Sequence, residues 1–131
     1  MFVGVLRLSL SIFGARSLKD KRRVVLSFKE RVQARFRVSA AEVGSLDDVR
    51  HATIGVACVS NEAAHCDEVL AQVAGVAANL PDAVLDDRAT EIVPFGAGAR
   101  GVSHRLGARE DRLLAEVEAT TAGSREHDDE P

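Results

Sequence analysis

The chain has 131 residues, 46% of them hydrophobic and 28% charged, which suits a single ordinary soluble domain. Five Phe with no Trp and no Tyr are too few rings for a base-stacking surface, and the composition excludes a coiled coil, a collagen, a disulfide scaffold and a wholly disordered chain. The net charge of −3 is a sum of unlike parts: residues 1–50 carry eleven Lys/Arg against five Asp/Glu, residues 51–95 one against seven, and residues 96–131 five against eight.

Residues 2–12 alternate with period 2 and predict a strand covered on one face. Phe2, Leu6, Leu8, Leu10 and Ile12, with Gly4 among them, form its apolar side. Phe13 to Arg16 make a short loop, and Ser17 is the expected N-cap of a helix, with Asp20 at the third position of a weak capping box. The spacing predicts that helix over 18–36, with Leu18, Val25, Phe28, Val32 and Phe36 on one stripe. A short strand is expected at 37–43, a loop at Gly44-Ser45 and Asp47-Asp48, and a second β run at 52–59. Ser60 or Asn61 is the expected cap of a helix over 62–79, which ends at Pro81-Asp82. A last strand covers 83–93, but both of its alternations mix apolar and charged residues, so the pattern does not say which side faces the core.

The order β-α-β-β-α-β in about 95 residues predicts an α+β, ferredoxin-like sandwich: a four-stranded antiparallel sheet with two helices on one face. From Gly96 the composition changes. Residues 96–131 are Gly/Arg-rich, then acidic, and are expected to form a largely flexible extension with a short helix at 110–119.

No secretory leader is visible at the start, and no apolar run approaches the ~18 residues of a membrane span. Cys58 and Cys66 are eight apart, which fits no common zinc spacing, and two reduced buried thiols in a cytoplasmic protein are expected. His51, His65, His104 and His127 show no ligand spacing. The expectation is therefore no metal, no cofactor, no catalytic residue and no membrane partner.

The sharpest local feature is Arg16-Ser17-Leu18-Lys19-Asp20-Lys21-Arg22-Arg23. Cations in the first turns of a helix oppose its dipole, so a chain that keeps them there is expected to use them, here for an anionic partner such as RNA phosphate. Arg35 extends the charge along the helix. The competing reading is a solvated helix face that pairs with the acidic residues of 51–95. Lys21 lies beside Leu18 and Val25 on the helical wheel. Either it snorkels past the end of the sheet, which is the expectation, or it points into a polar site there.

The open sheet face would carry Val5, Arg7, Ser9, Thr53, Gly55, Ala57 and Val59, none of them aromatic, which argues against an RNA-recognition module. An acylphosphatase-like hydrolase shares the chain order. It would use Arg16, Arg22 or Arg23 as anion ligand and Asn61 to position water.

Gly4-Val5-Leu6, Ser17-Leu18-Lys19-x-Lys21-Arg22, Val38-Ser39-x-Ala41-Glu42-Val43 and Val59-Ser60-Asn61 occur in that order over about residues 1–95. Together they resemble the YlxP-like proteins, a bacterial family of unknown function. The resemblance implies a ferredoxin-like fold. Members commonly encoded beside translation initiation factor 2 and ribosome-binding factor A imply a role near ribosome assembly or translation. It supplies no catalytic residues, and 96–131 lies outside it.

Three functional expectations result. The first is a non-catalytic cytoplasmic protein that binds RNA or a ribosomal subunit through Arg16, Ser17, Lys19, Lys21, Arg22, Arg23 and Arg35, with Ser60 and Asn61 as secondary candidates. The second is a homodimer formed through Val3, Val5, Ala57 and Val59 on the open sheet face. The third is the small phosphate hydrolase.

Overall fold

A computed structural model describes residues 1–96. The elements run β1 (Phe2–Ser11), α1 (Leu18–Arg35), β2 (Ser39–Gly44), β3 (His51–Ser60), α2 (Ala63–Ala78) and β4 (Val84–Pro94). The sheet has the order β2-β3-β1-β4, and every neighbouring pair is antiparallel. This is the α+β, ferredoxin-like arrangement expected from the chain order. The extension beyond Gly96, with its expected helix at 110–119, lies outside the described residues.

Both helices cover the same side of the sheet. Leu6, Leu8, Leu10 and Ile12 from the β1 segment meet Ile54 and Val56 of β3, and all are essentially inaccessible to solvent. Against them pack Val25, Phe28 and Val32 of α1 and Cys66, Leu70, Val73, Ala74 and Ala77 of α2. Each large apolar side chain taken from water here contributes about 1.5–3 kcal/mol, so the two helical stripes and the β1 alternation account for the core. α1 packs mainly on β2 and β3, α2 on β1 and β4. The charge split along the sequence thus becomes a split in space, with the basic helix over the β2–β3 half of the covered face and α2 over the β1–β4 half.

Gly4 sits where α2 comes closest to the sheet. A Cβ there would stand 2.8 Å from Leu70 Cδ1, 3.1 Å from Cys66 Cβ and 3.2 Å from Cys58 Sγ. The missing side chain is therefore a packing requirement of the helix-on-sheet contact.

β4 resolves its own ambiguity through a bulge. Ser9 pairs with Asp87 but Leu10 with Leu85, so Asp86 is the extra residue. Before the bulge the odd-numbered Leu85 faces the core; after it the even-numbered Ile92 does, and both are half-buried. A single alternation cannot describe a strand whose parity changes midway. The Asp86 carboxylate accepts a hydrogen bond from the Ser11 hydroxyl.

Two boundaries differ from the sequence-based expectation. β2 begins at Ser39, two residues later than expected, where pairing with Ala57 starts. Its outward edge is not left open at Ala40, whose N–H donates to Gln33 Oε1 of α1 at 2.9 Å. At α2 the N-cap is Glu62, with no side-chain cap bond, rather than Ser60 or Asn61. Ser60 still belongs to β3, and its hydroxyl accepts the Glu62 N–H at 3.1 Å, which turns the chain into the helix.

Candidate nucleic-acid interface on the first helix

α1 starts as its sequence predicts. Ser17 has an extended backbone and its Oγ accepts the Asp20 N–H at 3.1 Å. Asp20 Oδ2 reaches back to accept the Arg16 N–H at 3.0 Å, one residue beyond the usual reciprocal partner. The Ser17 oxygen and the Asp20 carboxylate therefore already serve the first turn. An anionic partner would have to be held by side chains rather than by the bare end of the helix.

The basic run divides into two environments. Lys19, Arg22 and Arg23 are exposed and stand at i, i+3 and i+4, so they share one outward face with the half-exposed Leu26 one turn on. Arg16 is exposed just before the helix. Among the described residues the only ion pairs are Arg7–Asp87, Lys21–Glu42, His51–Asp48 and His65–Glu68. None involves Arg16, Lys19, Arg22 or Arg23. Of the acidic residues of 51–95, Asp82 shares a cleft with Asp20 and Arg23 and the others lie on or beside α2 and β4. None is ion-paired to this face, so the pairing that the competing reading requires does not form among the described residues.

Lys21 is the opposite case and corrects two expectations. It is fully buried and does not snorkel past the sheet end. Its Nζ donates to Ser45 O at 2.7 Å, His51 O at 3.1 Å and Leu46 O at 3.3 Å, and lies 2.9 Å from Glu42 Oε2. An ammonium has three protons, and three carbonyls take them. Glu42 Oε2, itself without a directed hydrogen bond, is held as an ion pair by charge and proximity. Lys21 is thus removed from the nucleic-acid candidates, because no phosphate can reach its nitrogen.

The β2–β3 loop is built around that nitrogen. Ser45 adopts a positive φ of 59°, a conformation that costs a non-glycine residue about 1–2 kcal/mol, and in it the Ser45 carbonyl points at Lys21. Asp48 orders the far side by accepting the Arg50 N–H and bonding to His51 Nδ1, each at 3.0 Å. The Arg50 N–H, with help from His51, holds the Asp48 carboxyl below its ordinary value.

The remaining candidates lie elsewhere. Arg35 closes α1 at the opposite end, its guanidinium 5.1 Å from the centre of the Phe36 ring. It lines a cleft of about 810 Å³ with Arg37, Ser60, Asn61, His65 and Glu68. Cys58 borders the same cleft and is a free thiol like Cys66. Burial, then its contact with Cys66, pushes the Cys58 thiol up from 9.0 to about 11, so it stays protonated at neutral pH. Asn61 follows the end of β3 that pairs with Phe2, whereas Arg16 follows the other end of β1, where Ser11 pairs with His51. A ten-residue strand separates them by roughly 30 Å, so the anion ligand and water-positioning amide of the hydrolase reading are not brought together.

Glu42 is the functional-looking residue that sequence reasoning missed. Its signal was an acid placed on the inward face of β2, opposite Ile54, which demands a buried partner.

Among the described residues, no helix is long and apolar enough to cross a membrane. Residues 3–89 match the model of a family described as "Protein of unknown function (DUF503)". A curated relative, the "Uncharacterized protein YlxP" of Bacillus subtilis (strain 168), is 31% identical over 80 residues, covering 61% of this chain and 87% of the relative.

Proposed function

The chain belongs to the DUF503 family of proteins of unknown function, and from that premise we propose that it is a non-catalytic cytoplasmic protein that binds RNA, or a ribosomal particle through its RNA, by the outward face of α1. One observation carries this reading. Arg16, Lys19, Arg22 and Arg23 form a cluster with no ion pair among the described residues, although Asp20 and Asp82 lie near Arg23. Clustered free cations are the electrostatic footprint of phosphate recognition, and keeping three of them against the helix dipole has a cost of a few tenths of a kcal/mol each. The absence of Trp and Tyr and of any Phe in the open-face rows of β1 and β3 directs recognition to the phosphate backbone rather than to stacked bases. The role near translation that the YlxP resemblance implies makes ribosomal RNA the first partner to test.

The experiment is co-sedimentation with small ribosomal subunits at low salt. The wild type pellets with the subunits, and the Lys19→Glu, Arg22→Glu, Arg23→Glu variant stays in the supernatant while remaining folded. A wild type that stays in the supernatant at low salt overturns the reading.

A further inference from the structure

The sheet face away from the helices is uncovered among the described residues. Its register places Val59, Val3 and Val93 in one row, Ser39, Ala57, Val5 and Glu91 in the next, Ala41, Gly55, Arg7 and Ala89 in the third, and Thr53, Ser9 and Asp87 in the fourth. Val59 is 66% exposed, Val43 50%, Val5 43% and Val93 38%. Valines, alanines and a glycine make up most of the first three rows, with Ser39, Glu91 and Arg7 among them, and Thr53, Ser9 and Asp87 make the fourth row polar. Four strands at ~4.8 Å spacing and four to five side-chain rows give the face a footprint of roughly 19 Å by 30 Å. Its valine-rich end, Val3, Val5, Val59 and Val93 with Ala57, is a contiguous apolar patch of the kind that marks an interaction surface, and the whole face is of the order of the ~800 Å² that each partner contributes to a standard interface.

We propose that this face binds a second copy of the chain, sheet against sheet, as an isologous dimer. The surface suits a twin better than the alternatives. It is too poor in cations and rings to be a nucleic-acid platform, and its small side chains permit the ~10 Å approach of two packed sheets. It also carries both signs of charge. Arg7 contacts Asp87 of its own chain at 3.5 Å, whereas Glu91 has no ion pair among the described residues. A two-fold axis crossing the strands between the Val5 and Arg7 rows sets Arg7 of one copy beside Glu91 of the other, twice per dimer, as a self-complementary interface requires. α1 lies on the other side of the sheet, so the dimer displays its two basic helices on opposite outer surfaces. The inference does not depend on the RNA reading.

The test is the mass in solution of the full chain, by light scattering after size exclusion from micromolar to near-millimolar concentration. The expected mass is twice 14.0 kDa. Val5→Glu and Val59→Glu, both at exposed positions, should give monomers that are folded by circular dichroism. A second measurement does not depend on those variants. Arg7→Glu alone and Glu91→Arg alone should each weaken the dimer through like-charge contacts. An equimolar mixture should form a heterodimer, because only then does each acid meet a base across the axis. A wild type that is monomeric at every concentration overturns the proposal, and a Val59→Cys thiol that resists labelling in such a monomer would assign the face to the chain's own residues beyond Gly96. A dimer that survives both Val→Glu changes, or charge variants that do not recover on mixing, overturns it too.

Discussion

Lys21 and its neighbours Lys19, Arg22 and Arg23 come from one basic run and end in opposite situations. Lys21 is sealed beneath the β2–β3 loop with three carbonyls and a carboxylate around its ammonium. The other three project into solvent with no ion pair among the described residues. The same charge therefore does two kinds of work within two helical turns. One cation holds a loop in a costly conformation; three are left available. Position on the helical wheel, not the density of charge, decides which is which.

The largest expected effect comes from breaking the buried half of this pair. Lys21→Ala leaves Glu42 and three carbonyls without their cation, and should lower unfolding stability by about 3–5 kcal/mol, read by urea unfolding. Glu42→Gln is milder. It keeps the three carbonyl bonds and removes only the ion pair, so a loss of about 1–3 kcal/mol is expected. The exposed half should behave differently. Neutralising Lys19, Arg22 and Arg23 to Gln should change stability by no more than about 0.5 kcal/mol per site, with a small gain from relief at the helix dipole. Cys58, away from α1, has an effect confined to alkaline pH. Its thiol is raised in the folded state, so the stability it contributes is whole below pH 9.0 and declines as pH rises toward about 11. Denaturant midpoints measured across that window should fall less steeply in Cys58→Ala.

Much of the fold was legible because its elements obey simple periods. β1 alternates cleanly, and the stripe Val25, Phe28 and Val32 faces the core as its spacing requires. β4 resisted reading because the Asp86 bulge changes its parity, and a bulge has no fixed signature in one sequence. The candidate site was only half legible. The wheel placed Lys21 among apolar residues, but its acceptors are main-chain carbonyls of Ser45, Leu46 and His51, and a carbonyl is present at every residue whatever its side chain. Ser60 and Asn61 were grouped with the basic helix by chemistry, yet the antiparallel register sends them to the opposite end of the sheet from Arg16. Sequence patterns report which face a residue occupies. They do not report which end of the molecule it shares with another.

The central claim, that the free face of α1 holds phosphates while Lys21 holds the fold, is tested most directly by salt-dependent RNA binding. The affinity of the wild type and of the Lys19→Gln, Arg22→Gln, Arg23→Gln variant for a mixed-sequence single-stranded RNA would be measured by fluorescence anisotropy over a range of salt concentrations. Three phosphate contacts contribute a slope of about −2 in log affinity against log salt. The account predicts that the variant loses a slope of about that size with its thermal midpoint unchanged or slightly raised. An identical slope in the two proteins, or no binding by the wild type at low salt, would contradict it.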